Sequence, residues 1–225
     1  MGIKFDKPVF IIARGPSLYK LEDHIYDLKE YDFDWVGFNL AFEAQKNILD
    51  KINKRYDALF YIGWSDKDVR ELKSNIFEYV NSKNDGLLFV NDGTYKCLNL
   101  GKNIRKYHKI RIFKVPVDCG SLCNILLYLI KKGVKKFCLF GTDFGFIKNS
   151  DEAHYHQEDY TEMDIFNGLY DLMNDCYKMN NHFWEWAGLT KHDIEIVNCS
   201  PESHLTCFEK IDYPQLKERI NEWKK

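Results

Sequence analysis

SLCNILLYLIKKGVKKFCLFGTDF, residues 121–144, holds a whole helix-to-strand passage and the turn that follows it. Ser121 to Lys132 reads as an apolar helix. Gly133 ends it, because glycine tolerates the left-handed conformation that closes a helix. Lys136 to Phe140 is then a short, continuously apolar run, the pattern of a strand covered on both faces. The strand delivers Gly141-Thr142-Asp143-Phe144 to its carboxyl end.

Upstream, PVFIIA (Pro8 to Ala13) is a second such run, and its unbroken apolarity predicts a central strand. Further strands are expected at Trp35–Phe38, Ala58–Ile62, Gly86–Val90, Ile110–Val115 and Ile194–Val197. Helix spacing occurs over Ala41–Ile52 and over Asp66–Val80, where Asp66 is placed to cap. Thr161 to about Asn180 is amphipathic, with Ile165, Leu169, Leu172, Met173 and Cys176 on one face. Tyr213–Trp223 closes the chain. Strands alternating with helices predict an α/β, Rossmann-like, mainly parallel sheet with helices on both faces, and a single domain over residues 1–225.

The chain has 225 residues, 45% hydrophobic and 29% charged, ordinary for a globular domain. Its formal net charge is −2. That argues against a chain whose main work is holding nucleic acid, which would carry a basic excess. Lys131, Lys132, Lys135 and Lys136 flank one turn and read as a solvated rim. Aromatics reach 16%, enough for a core and a share of a ligand cleft. The seven cysteines form no C-x-x-C pair, and several sit in apolar runs, so reduced, unconnected thiols are expected. With no signal-like N-terminus and no apolar run of the roughly 18–20 residues that a membrane helix needs, the expectation is a cytoplasmic protein without a membrane span.

In doubly wound sheets, ligands sit beyond the carboxyl ends of the strands. Arg14-Gly15-Pro16-Ser17-Leu18 follows the first strand. Gly15 permits close backbone approach, and Pro16 suits a first helical turn. Free N–H groups there, with the Ser17 hydroxyl and Arg14, would suit a phosphate, and a tight strand-to-helix turn would use the same residues. On the phosphate reading, Gly15→Val abolishes binding and spares the fold. Asn39 ends the second strand, placed either to read a base or ribose or to cap the next helix. Gly120 and Ser121 offer helix-start donors, unless Asp118 or Ser121 merely caps. Thr142 and Asp143 leave the strand described above, and a carboxylate there can hold a metal, accept from a hydroxyl, or act as a base. His154 and His156 would share one side of an extended segment with Tyr155 opposite; they are candidates for proton transfer or for capping the following helix.

Taken in order, Gly15-Pro16-Ser17-Leu18, Asn39, Gly120-Ser121, Gly141-Thr142-Asp143-Phe144, the histidine loop, and Asn198-Cys199-Ser200-Pro201-Glu202-Ser203 to Phe208 resemble one superfamily. It contains the bacterial sialyltransferases of glycosyltransferase family 42 and the MptE-like proteins, among them 6-hydroxymethylpterin diphosphokinase. The resemblance covers roughly residues 8–211. It implies a CMP-sugar-like donor, a carbohydrate or other small-molecule acceptor, and no required cofactor. Gly15, Ser17, Asn39, Ser121, Asn198, Ser200 and Ser203 match positions near the nucleotide. A histidine general base matches His156 first and His154 second. Arg14 stands where the sialyltransferases have Asn, and Gly145 where they have Tyr. The implied activity therefore widens to a nucleotide-dependent transferase. The alternatives are an MptE-like diphosphokinase, in which Asp143 would hold Mg²⁺ beside ATP, and a nucleotide-binding module without chemistry. A homo-oligomer is compatible with either.

Overall fold

A computed structural model describes residues 5–39, 48–62, 86–97, 110–144, 162–190 and 192–224. In chain order its elements are β1 (Val9–Ile12), α1 (Tyr19–Glu22), α2 (Ile25–Leu28), β2 (Asp34–Phe38), β3 (Ala58–Tyr61), β4 (Leu87–Asn91), α3 (Asp92–Cys97), β5 (Ile110–Phe113), α4 (Ser121–Lys131), β6 (Lys136–Phe140), α5 (Glu162–Ala187), β7 (Glu195–Asn198), β8 (Glu209–Lys210) and α6 (Tyr213–Trp223). Single 3₁₀ turns cover Pro16–Leu18 and Leu49–Ile52.

The strands form one eight-stranded sheet in the order β5-β4-β3-β2-β1-β6-β7-β8. Every pairing is parallel. The expected α/β Rossmann-like architecture is therefore observed. β1 is central, between β2 and β6, and its four residues are fully buried. Alternate residues feed two cores. Phe10 and Ile12 meet Leu21, Ile25, Leu28, Leu216 and Ile220, from α1, α2 and α6. Val9 and Ile11 meet Leu122, Ile125, Leu126, Cys176, Met179 and Phe183, from α4 and α5. Helices thus cover both faces, as the continuous apolarity of the strands requires.

Several boundaries move. α5 runs on to Ala187, where Gly188 turns left-handed at φ 63°. Its buried stripe is Cys176, Met179 and Phe183, whereas Met173 is 60% exposed, so the expected face is rotated. The side chains of Ile165 and Leu169 lie outside the described residues. So do Asp66–Val80 and most of Ala41–Ile52, whose described end, Leu49–Ile52, is a 3₁₀ turn stopped by Asn53 at φ 53°. α4 and α6 form as the sequence predicts. Gly133 closes α4 at φ 98°, and α6 starts on a capping box between Asp212 and Gln215. The short elements α1, α2, α3 and β8 carry too little periodicity to read from sequence. No helix among the described residues is long and apolar enough to cross a membrane.

Candidate functional site

Strand order reverses between β1 and β6, because the chain builds outward from β1 to β5 and then returns to lay β6 on the other side. The crossovers leave to opposite faces there, the point at which doubly wound sheets form a ligand crevice beyond the strand ends. Ala13 N–H still donates to Phe140 O, and Gly15 N–H to Gly141 O at 2.7 Å, so the two segments stay zipped past the last strand residue. Gly15 is obligatory at this approach. A Cβ would stand 2.0 Å from Asp143 Oδ2 and 2.4 Å from Gly141 O.

Asp143 turns back onto the first turn. Its Oδ2 accepts from Ser17 N–H at 3.1 Å and lies 2.8 Å from Ser17 Oγ. Ser17 Oγ is also 2.8 Å from Ser200 Oγ. Thr142 N–H donates to Ser200 Oγ at 3.1 Å, and Thr142 Oγ1 donates to Asn198 Oδ1 at 2.8 Å. Ser200 N–H donates to the same Asn198 oxygen, Ser203 Oγ donates to Thr142 O, and His204 N–H donates to Asp143 O. Residues far apart in sequence thus become one hydrogen-bonded cluster across the ends of β1, β6 and β7. Two atoms in it have no partner among the described residues: Asp143 Oδ1 and Asn198 Nδ2. Burial raises the pKa of Asp143, opposed by the Ser17 hydrogen bonds and by the field of Lys20.

The donors of the first turn are therefore not free, as the phosphate reading expected: Ser17 gives both its N–H and its hydroxyl to the protein's own carboxylate. The same substitution of protein for ligand recurs at α4. Gly120 is its N-cap without any side-chain cap, so neither Asp118 nor Ser121 caps. The Asp175 carboxylate lies beside Gly120 instead, and burial raises its pKa. A Cβ on Gly120 would be 2.3 Å from Asp175 Oδ2.

Asn39 has φ 53°, a left-handed turn that Asn tolerates. Its Oδ1 accepts from Ile62 N–H and its Nδ2 donates to Ser121 Oγ, both at 3.1 Å. It ties the ends of β2 and β3 to the start of α4. Whether it caps a helix beyond residue 39 falls outside the described residues.

No protein-family model matches this sequence, and no curated protein matches it.

Burial divides the candidates by what they can touch. Gly15, Pro16, Ser17, Thr142, Asp143, Asn198, Ser200 and Ser203 are buried, so they shape the crevice floor. Arg14, Asn39, Gly120 and Ser121 are partly exposed and can meet a ligand. Arg14 has no hydrogen-bond or ion-pair partner among the described residues. His154, Tyr155 and His156 lie outside the described residues. Sequence reasoning missed Asp175, and it missed Lys20, whose Nζ is 3.8 Å from Glu202 Oε1. It also missed Tyr213, stacked on His24 with ring centroids 4.1 Å apart and pushed up in pKa by burial. Lys20 could have been found from its position on the turn that the motif opens; Asp175 lies mid-helix, where nothing local marks it.

Proposed function

We propose that the chain is a nucleotide-dependent transferase of sialyltransferase-like type, moving a glycosyl group from a CMP-sugar-like donor to a hydroxyl acceptor. The observation that carries this reading is the gathering of Gly15–Ser17, Asn39, Ser121, Thr142–Asp143 and Asn198–Ser203 at the switch-point edge of one parallel sheet. The half-buried Arg14 at that edge, without a partner among the described residues, suits an anionic phosphate. In this reading His156 takes the acceptor proton and Arg14 stabilises the departing nucleotide phosphate. Asp143 holds the turn after β1 in place, a role supported by its two contacts to Ser17.

A Mg²⁺-dependent diphosphokinase is the second reading, and one observation favours it: Asp143 Oδ1 has no partner among the described residues. That oxygen could meet a cation beside ATP phosphates, provided the crevice floor opens, since Asp143 is only 3% exposed. The test is a thermal-shift series with CMP, CDP, UMP and ATP, each with Mg²⁺ or with EDTA. A ligand that binds only the folded state raises Tm. The expected result is a shift with a cytidine nucleotide that EDTA leaves unchanged. An EDTA-sensitive shift with ATP alone would select the diphosphokinase, and no shift with any nucleotide would remove both. With an active acceptor pair in hand, His156→Ala should lower turnover by about 10²–10⁴ and leave nucleotide affinity intact. Full turnover in the His154→Ala/His156→Ala double variant would end the histidine's role.

A further inference from the structure

The segments that leave β1 and β7 meet over the end of β6. Their deep contact is the pair of hydroxyls Ser17 and Ser200, 2.8 Å apart and buried. Further along the same two segments, Lys20 Nζ faces Glu202 Oε1 at 3.8 Å, with the side chains 34% and 56% exposed. The separation is within ion-pair range but too long for a hydrogen bond. No other ion pair among the described residues joins these two segments.

Lys20 also acts downward. Its field partly offsets the burial of Asp143. Lys20 thus acts on two carboxyls: Asp143, already engaged with Ser17, and Glu202, held only by charge. An exposed pair at such a distance is screened by water and gives little stability, so it exchanges readily. A phosphate brings more negative charge and several acceptor oxygens, and forms short charge-assisted hydrogen bonds to an ammonium. At the end of β1 the partly exposed Arg14 gives the same edge a second cation.

We propose that Glu202 is a built-in competitor for phosphate at Lys20: the phosphate of the bound nucleotide takes Lys20 from Glu202. Lys20 is then a ligand-binding residue and Glu202 sets the affinity threshold. This rests on the nucleotide reading above and names the side chain that receives the phosphate. Binding exchanges one anion for another at Lys20 and leaves the Glu202 carboxylate to solvent. Nucleosides, lacking phosphate, do not trigger the exchange.

The experiment is calorimetric titration of the full chain with CMP and, separately, with cytidine. The proteins are wild type, Lys20→Met, Lys20→Arg, Glu202→Gln and the Lys20→Met/Glu202→Gln double variant. For CMP, Glu202→Gln should bind about fivefold more tightly, the scale of one exposed ion pair. Lys20→Met should bind about tenfold more weakly, as expected for a lost charge-assisted contact. Lys20→Arg should bind close to wild type. The double variant should match Lys20→Met, because the Glu202 effect acts only through Lys20. Cytidine affinity should be the same throughout. If CMP binds but ignores Glu202→Gln, or if the gain survives without Lys20, the competitor role is overturned and the nucleotide reading stands. If neither CMP nor cytidine binds any of the five proteins, the competitor role and the cytidine-nucleotide reading fall together.

Discussion

The turn after β1 and the start of α4 are built alike and behave differently. Each is a passage into a helix, each contains a glycine, and each has a carboxylate from elsewhere in the chain packed against that glycine. At the first, Asp143 is 3% exposed and takes both polar groups of Ser17. At the second, Asp175 is only half-buried, and Lys178 lies near it while bonding Asp118 O and Oδ2. The first is a closed joint whose Ser17 donors are already spent, with the partly exposed Arg14 and Lys20 at its rim. The second is closed by a side chain with solvent on one side, free to turn away. A helix start behind a strand is thus an anion site only if the protein has not already supplied the anion.

Glycine substitution separates the two joints most sharply. At Gly15 a new Cβ meets Asp143 Oδ2 at 2.0 Å and the backbone Gly141 O at 2.4 Å, and the backbone cannot yield cheaply. Gly15→Ala should therefore cost about 3 kcal/mol or more in denaturant unfolding, at the top of the overpacking range. This revises the expectation that Gly15→Val spares the fold. At Gly120 every close atom belongs to Asp175, so the side chain can swing out, and Gly120→Ala should cost about 1 kcal/mol. Equal costs would break the comparison.

Removing the carboxylates should give the next largest difference. Asp143→Ala strands the buried Ser17 N–H and hydroxyl and should cost about 2–3 kcal/mol. Asp175→Ala leaves donors that water can reach and should cost about 0.5–1 kcal/mol. Asp143→Asn is the sharper probe. Its amide oxygen can keep the Ser17 bonds while the NH₂ replaces the unpartnered Oδ1, so it should be milder than Asp143→Ala.

Protonation extends the contrast. Burial raises the folded-state pKa of Asp143, so folding favours its protonated form. The stability from that preference is full below the ordinary carboxylate pKa and is lost as pH rises through the folded value. Asp143→Asn should remove this loss, seen as a flatter Tm profile on the alkaline side. A wild-type profile that rises through the same window would contradict the assigned burial.

The smallest effect is expected at the opposite edge of the sheet, where Asp34 opens β2. Burial and then the nearby Asp57 raise its pKa from 3.8 to about 6, with Lys7 opposing. The sign is the same: the contribution is complete below pH 3.8 and fades as pH climbs through about 6. Asp34→Asn should gain Tm relative to wild type at pH 7.5 and not at pH 4, without altering nucleotide binding. A change in binding would mean that the two edges are coupled.

The sequence alone determined the elements with long or unbroken apolar patterns. β1, β6, α4 and α6 were legible because burial on both faces, or on one helical stripe, demands a repeating side-chain pattern in a continuous stretch. It also determined which strand ends carry small and polar residues. Only the tertiary structure decided that the strand order reverses between β1 and β6, since pairing depends on where crossovers pack and not on any local pattern. It decided too which candidate residues form a buried floor and which face outward. Ser17, Thr142, Asn198 and Ser200 look like ligand contacts in sequence, yet they spend their hydrogen bonds on each other. Asp175 and Lys20 stayed hidden because their roles arise from contacts with Gly120 and Glu202, 55 and 182 positions away. A side chain's local sequence fixes its chemistry; its partners are set by packing across the sheet, and they determine whether that chemistry is already satisfied.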